Sequence, residues 1–310
     1  MTTAKAPYYE SRFIRANTPD GDRAIWLRET LLLPAAGEPS ADVWVMLFDR
    51  TGHRAVRRSF PVEAADFGTG TVRIGTTSLD GTAARGELPD TARWDLTITP
   101  SGHDEVRLLT ERAYQARFPA AKTVVRDPLA RFDGLLEISG ATVDVDDWTG
   151  SVNHNWGTRH TPAYAFGQVC GFDNAPDTTL EIVTARAALG PVLLPGVTLF
   201  VFRHAGQEFA VRSVRGSLDS HGRYTPFSWR FGARVGERMI EGHISAAPAD
   251  VIGLIYPDTH GGQKHCYNSA LAQCRIQVAG KAFERTELVS DRVMFEILTD
   301  DRLPDVPLLA

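Results

Sequence analysis

The chain has 310 residues, 43% of them hydrophobic and 23% charged, which is ordinary globular composition and enough for one large domain or two medium ones. A net charge of -5, with no basic run and no zinc-finger spacing, argues against a dedicated nucleic-acid surface. No stretch reaches the roughly 18 apolar residues of a membrane-spanning helix, the N-terminus lacks a signal-type apolar core, and three cysteines are too few for a disulfide framework; a reduced, cytoplasmic protein is expected.

In chain order the pattern is one of short strands rich in Val, Ile, Thr, Phe and Trp. The first falls at 24–33. Alternation puts Ile25, Leu27, Leu31 and Leu33 on one face with Glu29, and Trp26, Arg28 and Thr30 on the other. A carboxyl among leucines loses solvation, which raises its pKa and makes Glu29 a candidate general acid. A glutamate paired with an arginine at a strand end is the plainer alternative. Strands follow at 42–48, 71–77, 93–99 and 132–138, with turn signals at 49–52 and 79–81.

The stretch Trp148-Thr-Gly-Ser-Val-Asn-His-Asn-Trp-Gly157 lies near the midpoint, with His160 just beyond. If it is extended, Val152, His154 and Trp156 share one face, and Asn153 and Asn155 the other. A proton-transfer group beside a large aromatic surface suits an apolar, cation-prone substrate; a Trp-rich strand with a structurally bonded histidine is the bland alternative. The strand at 163–172 sets Tyr164, Phe166, Gln168, Cys170 and Phe172 against small residues, a face that suits a ligand pocket or a packed core. The strand at 179–187 carries Glu181, a second acid candidate, beside Val183 and Ala185. Further strands at 197–204, 229–235, 239–245, 251–256, 270–278 and 292–298 bring the total to about thirteen, with turns at 204–207 and 220–222. That is too many for one small barrel. The prediction is an all-β protein of two antiparallel barrel-like halves, 1–150 and 151–310, packed without a linker.

The familiar catalytic motifs are missing. His154 with His160, and His260, His265 and Cys266, have no compact ligand spacing, and the acids at 144, 146 and 147 do not form a calcium loop, so no metal is expected. There is no Gly-x-Ser-x-Gly elbow, P-loop or dinucleotide fingerprint. What remains is an all-β container for a small apolar molecule, with a few placed polar groups. Such a site suits protonation of a double bond, with the cation held against aromatic faces, or a cage for a pericyclic reaction. Neither needs a cofactor.

Several stretches together carry a resemblance: residues 8–28 from Tyr8-Tyr-Glu-Ser to Ile-Trp-Leu-Arg28, then His154-Asn-Trp-Gly-Thr-Arg-His160, Ile255-Tyr-Pro-Asp258 and Cys266-Tyr-Asn-Ser-Ala-Leu-Ala272. The chain resembles the lipocalin-like superfamily of hydroxyneurosporene synthase (carotenoid hydratase), AttH-type proteins and tocopherol cyclase, an architecture shared by some natural-product Diels–Alderases. The resemblance spans most of the chain. It implies two consecutive lipocalin-like barrels with a ligand cavity in or between them. His154 and Trp156 match the His-x-Trp-Gly segment of the hydratase site. The hydratases' Tyr-x-Asp pair has Thr179 and Glu181 in its place here. The expectation is a cofactor-independent enzyme that hydrates or cyclises a terpenoid or polyketide-like molecule. His154, Trp156, Glu29 and Glu181 would be catalytic, and Trp26, Asn155, Tyr164, Phe166, Gln168 and Asn268 would contact substrate. A pericyclase and a non-catalytic carrier of a hydrophobic ligand are the alternatives.

Overall fold

The computed structural model describes residues 4–189, 192–280 and 283–309. Twelve strands build the first sheet: β1 (Tyr8–Asn17), β2 (Arg23–Leu33), β3 (Ser40–Asp49), β4 (Arg54–Phe60), β5 (Ala65–Phe67), β6 (Val72–Ile74), β7 (Thr77–Leu79), β8 (Ala83–Leu88), β9 (Ala92–Thr99), β10 (Val106–Arg107), β11 (Ala121–Ile138) and β12 (Ala141–Gly157). They pair antiparallel in the order β4-β3-β2-β1-β12-β11-β9-β8-β7-β6-β5, with β10 on β11. Residues 158–162 lead to β13 (Ala163–Phe172) and β14 (Ala175–Arg186), then to a small ribbon of β15 (Ala188–Leu189) and β16 (Val192–Leu193). The second sheet continues with β17 (Val197–His204), β18 (Gln207–Val211), β19 (Ser220–Thr225), β20 (Ser228–Val235), β21 (Arg238–Ser245), β22 (Ile252–Pro257), β23 (Gln263–Gly280) and β24 (Phe283–Thr299). Its order is β18-β17-β14-β13-β24-β23-β21-β20-β19, with β22 on β23. Each sheet curls into a nearly closed barrel, as the strand pattern predicts. Closure removes the exposed edges that an open sheet of this size would present.

The two barrels repeat one plan although their sequences do not repeat. Each starts with a strand that pairs with the last strand of its own barrel, β1 with β12 and β13 with β24. Each ends in a long hairpin, β11–β12 and β23–β24. The sequence pattern shortens these hairpin strands because register shifts near Asp127 and Ala130, and again near Ala272, break the period of two. The single strand expected at 71–77 is divided into β6 and β7 by a turn at Gly75, whose φ of 60° favours glycine.

Alternation sorts the side chains into three cores. Ile14, Ile25, Leu27, Val45, Phe132 and Trp148 fill the first barrel. Phe172, Ile182, Phe202, Trp229 and Phe295 fill the second. The third core lies between the barrels, where Phe13, Trp26, Trp44, Met46 and Phe48 meet Ile252, Leu254, Tyr256, Met294 and Leu298. Each large side chain buried there stabilises the chain by roughly 1.5–3 kcal/mol. The seam therefore joins the barrels as firmly as a domain interior does. Among the described residues no helix is long and apolar enough to cross a membrane.

Candidate functional site

The strand faces divide the candidate residues into two groups. On β1, β2 and β12, Ile14 sits between Leu27 and Val152, and all three point into the first barrel. Two residues along each strand, Arg12 sits between Glu29 and His154. His154, Trp156 and Glu29 therefore belong to the interior face of the first barrel. The intervening residues Ser11, Phe13, Arg15, Asn153 and Asn155 face outward, toward the second barrel. On the second barrel, Tyr164, Phe166, Gln168, Glu181, Glu296 and Asn268 are the outward set that answers them.

Inside the first barrel, His154 Nε2 lies 3.0 Å from Glu10 Oε1. Glu10 also accepts from Tyr8 at 2.8 Å and from Arg12 at 3.0 and 3.2 Å. Burial raises the Glu10 carboxyl, but the hydrogen bonds from His154 and Tyr8 and the charge of Arg12 outweigh it and hold it below the usual range. Burial keeps His154 below its ordinary value. An ionised Glu10 assigns the proton of a neutral His154 to Nε2 and leaves its buried Nδ1 without a partner. The ring stacks on Trp156 at 4.5 Å, and Trp156 in turn on Tyr114 at 6.0 Å. Glu29 accepts from Thr77 Oγ1 at 2.7 Å, and desolvation pushes it up to about 7. His154 and Glu29 thus share a barrel interior, on opposite sides of Arg12, and make no direct contact.

The seam holds two further clusters. In the first, the buried Arg15 crosses from β1 to the second barrel and donates to Gln168 Oε1 at 2.6 Å, to the Gln168 carbonyl at 2.8 Å and to Cys170 Sγ at 3.1 Å. Gln168 donates to Asn153 Oδ1 and to Glu181 Oε2, both at 2.9 Å. Burial pushes Glu181 up to about 8, and its second oxygen has no partner. Asn155 instead accepts from Thr123 Oγ1 on β11 at 2.6 Å.

The second cluster centres on Glu296. Its carboxyl accepts a hydrogen bond from the Tyr164 hydroxyl. Burial raises Glu296, against the hydrogen bond from Tyr164 and the charge of Arg28. Arg28 lies 4.5 Å over the Tyr256 ring and 5.6 Å from that of Trp26, and its Nε donates to Ser11 Oγ at 2.7 Å. Tyr164, Phe166 and Arg28 are only half-buried, so the seam is not sealed here. A shallow cleft of about 30 Å³, partly open to solvent, is lined by Arg28, Tyr9, Thr30, Trp44, His160 and Tyr256. Trp26, Phe48, Asn268 and Met294 meet at a closely packed spot in the same seam, with no room for a water. Trp26 Nε1 and Asn268 Oδ1, which lie there, are buried without partners. Among the described residues no three His, Cys, Asp or Glu side chains converge as metal ligands.

Sequence reasoning named Tyr164, Phe166, Gln168, Trp26 and Asn268, and the structure brings all five to the seam. It overlooked Glu296, Tyr256 and the role of Arg28. Glu296 carries the signal that singled out Glu29, a carboxylate alternating with apolar residues, here Met294 and Leu298.

Two nearly closed antiparallel barrels packed face to face define the lipocalin-like double-barrel class. Solved structures share that fold. A putative AttH from Nitrosomonas europaea is 11% identical with a TM-score of 0.57, over 94% of this chain and 92% of that one. Kievitone hydratase from Nectria haematococca is 8% identical with a TM-score of 0.56, over 95% and 89%. CghA, solved with Sch210972, is 11% identical with a TM-score of 0.63, over 96% and 90%. By sequence, the chain is 27% identical over 264 residues to an uncharacterized protein of Mycobacterium tuberculosis, covering 83% of this chain and 77% of that protein. No family profile matches the chain.

Proposed function

We propose that this protein is an enzyme that binds an apolar small molecule of terpenoid or polyketide type in the seam between its barrels and protonates a double bond. The observation that carries this reading is the Tyr164–Glu296 hydrogen bond, buried beside Arg28 and the aromatic walls of Trp26, Trp44 and Tyr256. Burial favours the neutral form of Glu296, against Tyr164 and Arg28, which makes it the proton-holding member of the pair in this reading. With Glu296 neutral the hydrogen bond reverses, Glu296 O–H donating to the Tyr164 oxygen, so that the phenol proton passes to an alkene carbon and is replaced from Glu296. The carbocation rests against the aromatic faces. Water captures it, giving an alcohol, or a second double bond captures it, closing a ring. A proton then returns to the Glu296 carboxylate. Kievitone hydratase, which by its name is a hydratase, shares the fold and lends this reading weight. In this reading Gln168 and Glu181 position the wall of the seam. His154, Trp156 and Glu29 maintain the interior of the first barrel.

The test is incubation with linear C10–C20 polyenes in deuterated water, followed by mass spectrometry. The expected product is a hydrate or a cyclic isomer with deuterium bound to carbon. Glu296→Gln should slow its formation by about 100-fold or more. Product formed at full rate in Glu296→Gln and Tyr164→Phe, without deuterium, would mark a pericyclase. Polyenes bound and returned unchanged would mark a carrier.

A further inference from the structure

The open cleft of the seam contains polar groups that the proton transfer does not use. Arg28 makes one hydrogen bond, from Nε to Ser11. Among the described residues neither of its terminal amino groups donates to the protein. The Tyr256 hydroxyl and His160 Nδ1 line the same cleft and are buried without hydrogen-bond partners. His160 is packed on Tyr9 at 4.0 Å, and its Nδ1 lies 3.8 Å from Asp258, beyond hydrogen-bond range. Buried polar atoms are normally satisfied, and two such atoms beside the part-exposed fork of Arg28 at one opening mark a place where a ligand supplies the partner.

The charges around them narrow the ligand's chemistry. Two acidic residues line the cleft, and both are engaged elsewhere. Asp42 accepts from Arg57, Ser40 and Ser59. Glu10 accepts from Tyr8 and Arg12 and contacts His154. Glu296, near Arg28, is taken by Tyr164. Arg28 is therefore a half-buried cation with no hydrogen-bonded carboxylate. Its guanidinium carbon lies over the Tyr256 ring at 4.5 Å and 5.6 Å from that of Trp26, so the fork is held against an aromatic wall at the cleft. A planar fork of parallel N–H groups matches a planar pair of anionic oxygens, whereas one guanidinium in a narrow cleft offers too little for a phosphate. Beyond the fork the wall is apolar, made of Leu31, Leu32 and Trp44.

We propose that Arg28, with the Tyr256 hydroxyl and His160, is the head-group subsite of this cleft and takes the carboxylate of an otherwise apolar substrate. The proposal rests on the reading of the seam as a ligand site and names the class of molecule that it accepts. The carboxylate would anchor at Arg28 while the hydrocarbon lies along the wall of Leu31, Leu32 and Trp44. Arg28 and Tyr256 are then binding residues that fix the position of the double bond; the proton comes from elsewhere.

Quenching of tryptophan fluorescence by all-trans-retinoic acid and by its methyl ester tests this on the full chain, since Trp44 lines the cleft and the Trp26 ring lies 5.6 Å from Arg28. The acid should bind at least about tenfold more tightly than the ester. Arg28→Gln should abolish that preference and leave the ester's affinity unchanged. Arg28→Lys, which keeps the charge and loses the fork, should retain part of it. Tyr256→Phe removes only an unpartnered hydroxyl, so it should fold and weaken the acid severalfold without touching the ester; it carries the test if the Arg28 variants fail to fold. Equal affinity for acid and ester, or a preference that survives in Arg28→Gln or Tyr256→Phe, overturns the subsite and leaves the seam as a ligand site. If neither compound quenches, the seam reading fails and the subsite fails with it.

Discussion

Glu29 shows what a single buried carboxyl does to the molecule. Its folded pKa of about 7, against an ordinary 4.5, comes from desolvation inside the first barrel. The folded chain keeps this proton at pH values where the unfolded chain has lost it. The contribution to stability is intact below pH ~4.5 and falls as pH rises toward 7, by about 3 kcal/mol in full. Gln at this position still accepts from Thr77 and carries no charge. Glu29→Gln is expected to match the parent near pH ~4.5 and to exceed its stability at pH ~8. Urea unfolding at both pH values checks this, and no gain at the higher pH would contradict the burial argument. At the same scale, two adjacent residues of one strand serve different spaces. His154 meets Glu10 inside the barrel, while Asn153 meets Gln168 across the seam.

At the scale of the element, β12 is where sequence and structure agree most closely. Its dense stretch from Trp148 to Gly157 is extended throughout, and Val152, His154 and Trp156 share the face that alternation assigns them. Its glycines have a packing reason. A Cβ on Gly150 would come within 1.8 Å of the Arg15 carbonyl, and one on Gly157 within 2.2 Å of that of Ala120. Gly150→Ala should therefore part β1 from β12 and cost on the order of 2–4 kcal/mol, read by chemical denaturation. Full stability in that variant would refute the close approach. The strand faces were legible because a period of two is local. Which cavity each face would meet was not, because that follows from the closure of strands far apart in sequence. Tyr164 and Phe166 read as a pocket face from 163–172 alone, but their partner Glu296 arrives from β24, more than a hundred residues later. Burial raises both Glu29 and Glu181, while nothing local separated a barrel interior from the seam.

For the molecule as a whole, the seam makes two barrels one body. Arg15 is its polar key, fully buried, anchored on Asn17 and bonded across to Gln168 and Cys170. A guanidinium is costly to bury and is retained there by its hydrogen bonds. Arg15→Met should destabilise the chain by about 2 kcal/mol or more. With Gln168→Leu it should form a double-mutant cycle whose coupling exceeds about 1 kcal/mol. Additive losses would mean that Arg15 does not lock the barrels through Gln168. That two barrels form was legible from the number and spacing of strands. That they meet through a polar and aromatic seam was not, since alternation alone gives the outward faces of β1 and β13 no address.

The claim that chemistry belongs to the seam, and the barrel interior to structure, is tested most directly by comparing two glutamate-to-glutamine variants in the same assay. Deuterium incorporation into a bound polyene should fall by about 100-fold or more in Glu296→Gln and persist at the parental rate in Glu29→Gln. Loss of incorporation in Glu29→Gln, with Glu296→Gln fully active, would move the site into the first barrel and contradict the account.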